Sequence, residues 1–310
     1  AHPRRDPRRA RVPKAHRGRR PRAHDQARRH GFSEGHRILP RQEGLLGPLR
    51  PCGQELARRR AQAQALRIHG LTLAMVLFPP AKINLGLHVL GKRPDGFHAL
   101  ESIFLPLAWT DILEVVVDPH VEAGDMKATF TGLPIPGASD DNLVVKAHRI
   151  LTQQHDLPGL HLHLRKNLPM GGGMGGGSSD GTFALRAIKD VCDLGLSRET
   201  LLAHAAELGS DCPFFVDSAP ALVTGRGEHV APLEFGLPLD GVWVVVANPG
   251  IHISTAEAFS GLKPEDRTTP WKRLSTTPLA QWHTLIQNDF ESGAVERHPA
   301  IGDLLHALRE

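Results

Sequence analysis

Between residues 168 and 180 the chain reads Leu168-Pro169-Met170-Gly171-Gly172-Gly173-Met174-Gly175-Gly176-Gly177-Ser178-Ser179-Asp180. Glycines at this density let a backbone take positive φ and come close to a ligand. Successive N–H groups then converge on an anion, and a helix starting where the loop ends adds the positive end of its dipole. Ser178 and Ser179 contribute hydroxyls suited to phosphate or Mg²⁺. The chemistry this points to is phosphate binding. No GK[ST] closes the segment, so it is not a P-loop, and no acid-tipped βαβ unit follows, so it is not a dinucleotide fingerprint. The competing reading is a flexible linker. A linker rarely lies between a patterned strand and a patterned helix, as this segment does.

Other residues with chemical potential carry less. Nineteen histidines invite a metal reading. His161 and His163 alternate on one strand, but no third ligand stands at diagnostic spacing, so no metal site is expected. Cys192 sits among apolar helical neighbours and reads as packing, and nothing marks Cys212, beside Asp211, as a nucleophile. Three cysteines without a CxxC fit a reducing compartment, and a cytoplasmic location is expected.

The elements that must hold the loop are legible around it. Ile83, Leu85, Leu87 and Val89 alternate along 79–91, and RPDG at 93–96 marks a turn. Segments 98–109, 111–118, 127–133 and 159–169 read as strands, 221–233 as a hairpin and 241–250 as a buried strand. Leu143, Val144, Ala147, Ile150 and Leu151 fall at helical spacing within 140–155, with an Asp as the expected N-cap. Helices are also expected over 178–195 (ending at Gly195), 197–209, 254–262, 277–293 and 299–310, and weakly over 53–68. Strands and helices do not alternate as βαβ units, so the fold class is α+β.

Charge divides the chain. Residues 1–74 hold 18 Arg and Lys14 against five acids, a charge of +14, whereas residues 75–310 carry −10; together these give the chain's +4. The first 74 residues interleave Pro and Arg without apolar periodicity and are expected to be disordered. Three readings compete for them: an RNA-binding arm, a transit peptide short of serine, or a non-native extension with the native start at Met75. The last is favoured, since Ala1 is not a start residue and coherent patterning begins just after Met75. No apolar run approaches the about 18 residues of a membrane span, so no membrane partner is expected.

With these motifs together, the chain resembles the GHMP kinases, whose second motif is a Pro-x-Gly-x-Gly-hydrophobic-Gly-x-Ser-Ser loop. The supporting segments are Pro80-Ala81-Lys82-Ile83-Asn84-Leu85-Gly86-Leu87, Arg93-Pro94-Asp95-Gly96-Phe97-His98, Asp141-Asn142-Leu143, the glycine loop, Leu208-Gly209-Ser210-Asp211-Cys212-Pro213-Phe214-Phe215 and Gly225-Arg226-Gly227-Glu228. The first two point within that superfamily to the branch acting on a cytidine-diphosphate-linked methylerythritol. The resemblance implies ATP-dependent phosphorylation of the 2-hydroxyl of that substrate, with ATP and Mg²⁺ as cofactors, in isoprenoid precursor synthesis. It implies a ribosomal protein S5 domain 2-like ATP-binding domain over 75–235 and a ferredoxin-like C-terminal domain over 236–310. It makes Lys82 the cation beside the acceptor hydroxyl and Asp211 the base. Pro169, Met170, Gly171, Gly172, Gly173, Met174, Gly175, Gly176, Gly177, Ser178 and Ser179, with Asn142, Leu143 and Lys166, would hold the nucleotide. Asn84, Phe97, His98, Thr255 and Phe259 would hold the acceptor, with Phe97 where the family usually has Tyr. The family also carries a third glycine motif near its C-terminus. None follows Gly250, so the second domain is expected to be incomplete and the chain weakened in stability and activity. The partner expected is a small molecule, with the chain a monomer or weak dimer. The alternatives are a GHMP kinase for another small alcohol, or a nucleic-acid-binding protein acting through the basic tail.

Overall fold

The computed structural model describes residues 47–49, 64–68, 71–262, 264–265 and 267–309. By contact the chain divides into residues 1–43, where the expectation of disorder lies outside the described range, and residues 44–310, where that expectation is corrected: residues 47–49, 64–68 and 71–74 lie in strands whose backbone groups are paired by neighbouring strands. The latter contain strands β1 (Gly47–Leu49), β2 (Gln64–Ile68), β3 (Leu71–Leu77), β4 (Pro80–Lys92), β5 (His98–Thr110), β6 (Ile112–Val117), β7 (Met126–Gly132) and β8 (Leu160–Lys166), then β9 (Ala221–Gly225), β10 (His229–Pro232) and β11 (Val242–Val244). The helices are α1 (Leu143–Thr152), α2 (Gly176–Val191), α3 (Arg198–Leu208), α4 (Phe214–Asp217), α5 (Thr255–Phe259), α6 (Glu291–Arg297) and α7 (Pro299–Arg309).

Two main sheets form. One has the order β2-β3-β6-β8-β7, antiparallel except for the β7–β8 pair; the other has the order β10-β9-β5-β4 and is antiparallel throughout. β8 shows how the first is placed. Leu160, Leu162, Leu164 and Lys166 are buried while His161, His163 and Arg165 point the other way, the period-2 alternation of a strand with one covered face. Val144, Ala147 and Leu151 of α1 and Phe183, Ala184, Ala187 and Ile188 of α2 join these leucines in one core. That core fixes the end of β8 and the start of α2, and so holds both ends of the glycine loop.

Several expectations are corrected. Within 53–68, residues 64–68 form a strand antiparallel to β3, not a helix, and the rest lies outside the described residues. An isolated helix there has only its own hydrogen bonds, whereas a neighbouring strand satisfies the backbone directly. The run 241–250 is not a buried strand. Among the described residues three pair, with β1, and Trp243 and Val245 stand exposed, while Val244 and Val246 pack against the cluster of Ala81, Leu107, Leu168 and Met174. An apolar run alone does not say how many neighbours a strand has. The N-cap of α1 is Asn142, whose side chain accepts from the Val144 N–H; Asp140 and Asp141 lie in a preceding 3₁₀ turn. Helix α2 stops at Val191, short of Gly195, because Asp193 takes the left-handed conformation (φ 51°) and ends it. The stretch 277–293 is a 3₁₀ turn over Leu279–Thr284, then an extended link bridging Leu87 to Asn288, then α6. In 236–309 the described residues hold one strand, β11, among short helices and 3₁₀ turns. No described helix is long and apolar enough to cross a membrane.

Candidate active site

The glycine loop leaves β8 at Lys166 and enters α2 at Gly176. Gly175 is the N-cap residue, at φ +66°, and a Cβ there would lie 3.0 Å from both Lys82 Cγ and Phe215 Cζ. Only glycine satisfies both demands. Met174 is buried against Ala81, Leu107 and Leu168, and its carbonyl accepts the Lys82 N–H at 2.9 Å. One backbone bond thus stitches the loop to β4. The first N–H groups of α2 have no intrahelical acceptor and face the loop's interior, the electropositive end of a sixteen-residue helix.

A pocket of about 350 Å³ opens there. Pro169 through Ser178 line it, together with Asn142, Leu143 and Lys166. The structure therefore gathers all the residues expected to hold a nucleotide except Ser179, which is buried in α2 with its hydroxyl unpartnered. Asn142 contributes its surface to the pocket while its Oδ1 caps α1. Lys166 lies beneath the loop, fully buried, with Nζ bonded to Asp111 and, at 2.7 Å, to Asp180.

Lys82 and Asp211 meet across the loop's far end. Lys82 comes from β4 and Asp211 from the turn before α4, and the Nζ–Oδ2 distance is 3.3 Å. Lys82 is buried, whereas about one third of the Asp211 side chain is exposed, at 34%. Asp211 does not cap α4; its carboxylate is aimed at the lysine and the solvent. Asn84, two residues along β4 on the same side, accepts from Lys82 Nζ at 2.7 Å. Its amide in turn donates to Ser102 Oγ at 2.9 Å, and Ser102 donates to the Gly86 carbonyl. Lys82 Nζ also sits 4.4 Å from the Phe104 ring centroid. A buried ammonium held by a carboxylate, an amide oxygen and a ring face is a fixed cation rather than a mobile surface lysine.

Elsewhere, the ring of His98 stacks on Phe259 at 4.7 Å and 17°, and Phe290 meets Phe259 edge-on. Phe97 points elsewhere: it is half exposed and lies under the Arg226 guanidinium at 4.7 Å. Thr255 opens α5, and the expectation for its side chain lies outside the described residues. A Cβ built on Gly227, in the turn after β9, would lie 3.4 Å from Asp211 Oδ1, so the hairpin that carries Arg226 borders the Lys82–Asp211 pair.

Comparison with known proteins decides what this arrangement is. The family described as "GHMP kinases N terminal domain" matches residues 142–223. The 4-diphosphocytidyl-2-C-methyl-D-erythritol kinase of Parabacteroides distasonis is 39% identical over 237 residues, covering 76% of this chain and 84% of the relative. That of Cytophaga hutchinsonii is 39% identical over 230 residues, covering 74% and 83%. The chain belongs to this kinase family. A crystal structure of 4-(cytidine 5'-diphospho)-2C-methyl-D-erythritol kinase superposes with a TM-score of 0.60 at 26% identity, covering 76% of this chain and 82% of that one. The α+β architecture and the GHMP fold are thereby established, and the chain is a small-molecule kinase. A kinase for a different alcohol and a nucleic-acid-binding protein are not favoured by these matches.

Within the kinase, burial pushes the Cys212 and Cys192 thiols up to about 11, so neither is a thiolate at neutral pH. His161 and His163 bond to Thr129 and Thr131 on the neighbouring strand. Among the described residues no group of three His, Cys, Asp or Glu is placed to hold a metal. Sequence reasoning missed Ser102, which orients Asn84, and the partnership of Asp111 and Asp180 with Lys166. Burial raises the Asp180 carboxyl well above the usual range; Lys166 pulls the other way and the facing Asp111 adds to the rise. The one signal for Asp111 was an acid heading an apolar strand run, which a turn explains equally well.

Proposed function

We propose that this kinase transfers the γ-phosphoryl group of ATP to the 2-hydroxyl of 4-diphosphocytidyl-2-C-methyl-D-erythritol. The observation that carries the reading is the Lys82–Asp211 pair, 3.3 Å apart, where β4 meets the glycine loop through the Lys82–Met174 bond. In phosphoryl transfer the protein positions two oxygens in line and stabilises charge. Asp211, partly exposed, accepts the proton of the acceptor hydroxyl as its oxygen bonds to phosphorus. Lys82, whose contacts leave it no freedom to swing away, stabilises the negative charge on the oxygens in transfer. The leaving ADP stays on the loop's N–H groups and the N-terminus of α2.

The cradle fits a triphosphate. Gly173 and Gly177 have open space where a Cβ would stand, so the backbone is bare toward the pocket. Mg²⁺ needs only one or two protein ligands when phosphates and water supply the rest. Ser178, on the pocket wall, is the hydroxyl we assign to it, and the ion would screen the triphosphate. The stacked His98 and Phe259 are the assigned cytosine platform, with aromatic area from Phe259 and hydrogen bonding from His98. We assign the nucleotide to residues 75–235 and closure over the acceptor to residues 236–310. Free Cys192 and Cys212 accord with a cytoplasmic enzyme.

The test uses the full chain with ATP, Mg²⁺ and the cytidine-linked acceptor. ADP release that requires the acceptor, and that excess CMP suppresses, is the expected result. A folded chain that binds both nucleotides yet transfers no phosphate overturns the reading.

A further inference from the structure

Asp111 is fully buried between β5 and β6, and its carboxylate bonds to the glycine loop's first end. One carboxylate oxygen accepts the N–H groups of Asn167, at 2.6 Å, and Leu168, at 2.9 Å; the other accepts Lys166 Nζ. Its own N–H donates to the Pro79 carbonyl at 2.9 Å, immediately before the strand that carries Lys82. Lys166 Nζ then reaches the loop's other end, where Asp180 in the first turns of α2 accepts it at 2.7 Å. The same Nζ lies 3.3 Å from where a Cβ on Gly176 would stand. Three ionisable side chains, none more than 3% exposed, thus run under the loop from its entrance to its exit. A seven-residue stretch containing six glycines has little stiffness of its own and pays the largest entropy of ordering of any composition.

We propose that Asp111 is a positioning residue for the nucleotide: with Lys166 and Asp180 it straps the two ends of the glycine loop at a fixed separation, so that the loop's N–H groups are arranged before the phosphates arrive. The inference rests on the kinase reading of this same pocket. Asp111 touches no reacting group. It acts through the backbone of residues 167–168 and through Lys166. Asp180 needs only one oxygen for the strap, since its Oδ1 is buried without a partner.

The variants follow from that geometry. D111N loses one anchor whichever way its amide turns, because one side faces two N–H donors and the other an ammonium. D180A cuts the strap at α2, whereas D180N keeps an acceptor for Lys166. V191A, at the far end of α2, destabilises the same helix without touching the strap. ADP affinity of the full chain is measured by calorimetric titration, with melting temperatures in parallel and with separate KM values for ATP and the acceptor. The expected result is at least a tenfold loss of ADP affinity and rise in ATP KM in D111N and D180A. D180N stays within threefold, V191A melts lower with unchanged ADP affinity, and the acceptor KM moves less than twofold throughout. Should D111N not fold, the D180A and D180N comparison carries the same decision. If D111N or D180A melts lower but binds ADP as the unaltered chain does, or if both KM values rise together, the positioning role is overturned while the kinase reading stands. If the unaltered chain binds no ADP, the kinase reading falls and this inference falls with it.

Discussion

Lys82 and Asp211 divide their labour by burial. The lysine is enclosed by Asn84, Phe104 and Asp211, while the aspartate keeps a third of its surface open to an incoming hydroxyl. On the proposed mechanism Asp211 is the group that takes the acceptor proton, since its carboxylate is partly exposed while Lys82 is buried. Replacing Asp211 by Asn keeps the shape and the contact to Lys82 but removes the proton acceptor. We expect kcat to fall about 10²- to 10⁴-fold, the usual span for loss of a general base. ADP affinity should be unchanged, because Asp211 lies outside the nucleotide pocket's wall. Loss of ADP affinity comparable to the loss of kcat would show that Asp211 supports the loop and not the chemistry. At this scale the residues named by short motifs were legible, since Lys82 with Asn84, the glycine run and Ser210-Asp211 are each local in the chain. Ser102, Asp111 and Asp180 were not, because a buried polar group's partners are chosen by tertiary packing across 14 or more residues.

Among the elements, α1 and α2 bear the proposed nucleotide site, and they meet where Gly181 faces Leu143. A Cβ on Gly181 would stand 2.7 Å from Leu143 Cβ, closer than side-chain atoms pack. Glycine within a helix costs about 1 kcal/mol relative to alanine, so propensity alone favours Gly181→Ala. The contact says otherwise, since overpacking a tight core costs about 1–3 kcal/mol. Leu143 also lines the nucleotide pocket, so pushing α1 away disturbs the site as well. Urea unfolding of G181A should show a net loss of about 1 kcal/mol with a weaker ATP KM; equal or greater stability would show that α1 yields freely. Helix α1 was readable from 3.6-residue periodicity, α2 from its place between the glycine loop and the stop signal at Gly195, and α3 from the Ser197 cap that accepts from the Thr200 N–H. Strand β8 was readable from its strict alternation. Residues 64–68 and 241–250 were misread because neither period nor composition says whether a partner strand lies alongside. For 242–244 that partner is β1, some 190 residues earlier.

Over the whole molecule, of the charges that give residues 1–74 their +14 only Arg67, in β2, lies within the described structure, and residues 75–310 carry −10. An acidic body that binds anionic substrates must do so by local geometry, through loop N–H groups, a helix end and Lys82. That geometry depends on β4 being held by the C-terminal segment, and His88 is the clasp. Gln287 N–H donates to its Nε2 at 3.3 Å and its Nδ1 meets Thr269 Oγ1, so the neutral ring is the form that fits. Trp271 stacks on it at 5.2 Å, and Val89 and Leu87 bond to Asp289 and Gln287 on either side. Burial lowers the His88 pKa, with Arg267 adding to the effect and Asp289 and Glu101 opposing it. Burial lowers His148 likewise. A histidine depressed in the fold contributes stability that is complete above its unfolded value near 6.5 and is lost as pH falls through the folded value. The melting temperature should therefore hold steady from pH 8 to about 6.5 and decline below that, ahead of carboxylate titration near 4. H88Q should start lower at pH 8, having lost the ring's stacking, and decline less steeply between pH 6.5 and 5, with the remaining slope belonging to His148. Parallel declines in the two proteins would show that His88 protonation is not what loosens the clasp.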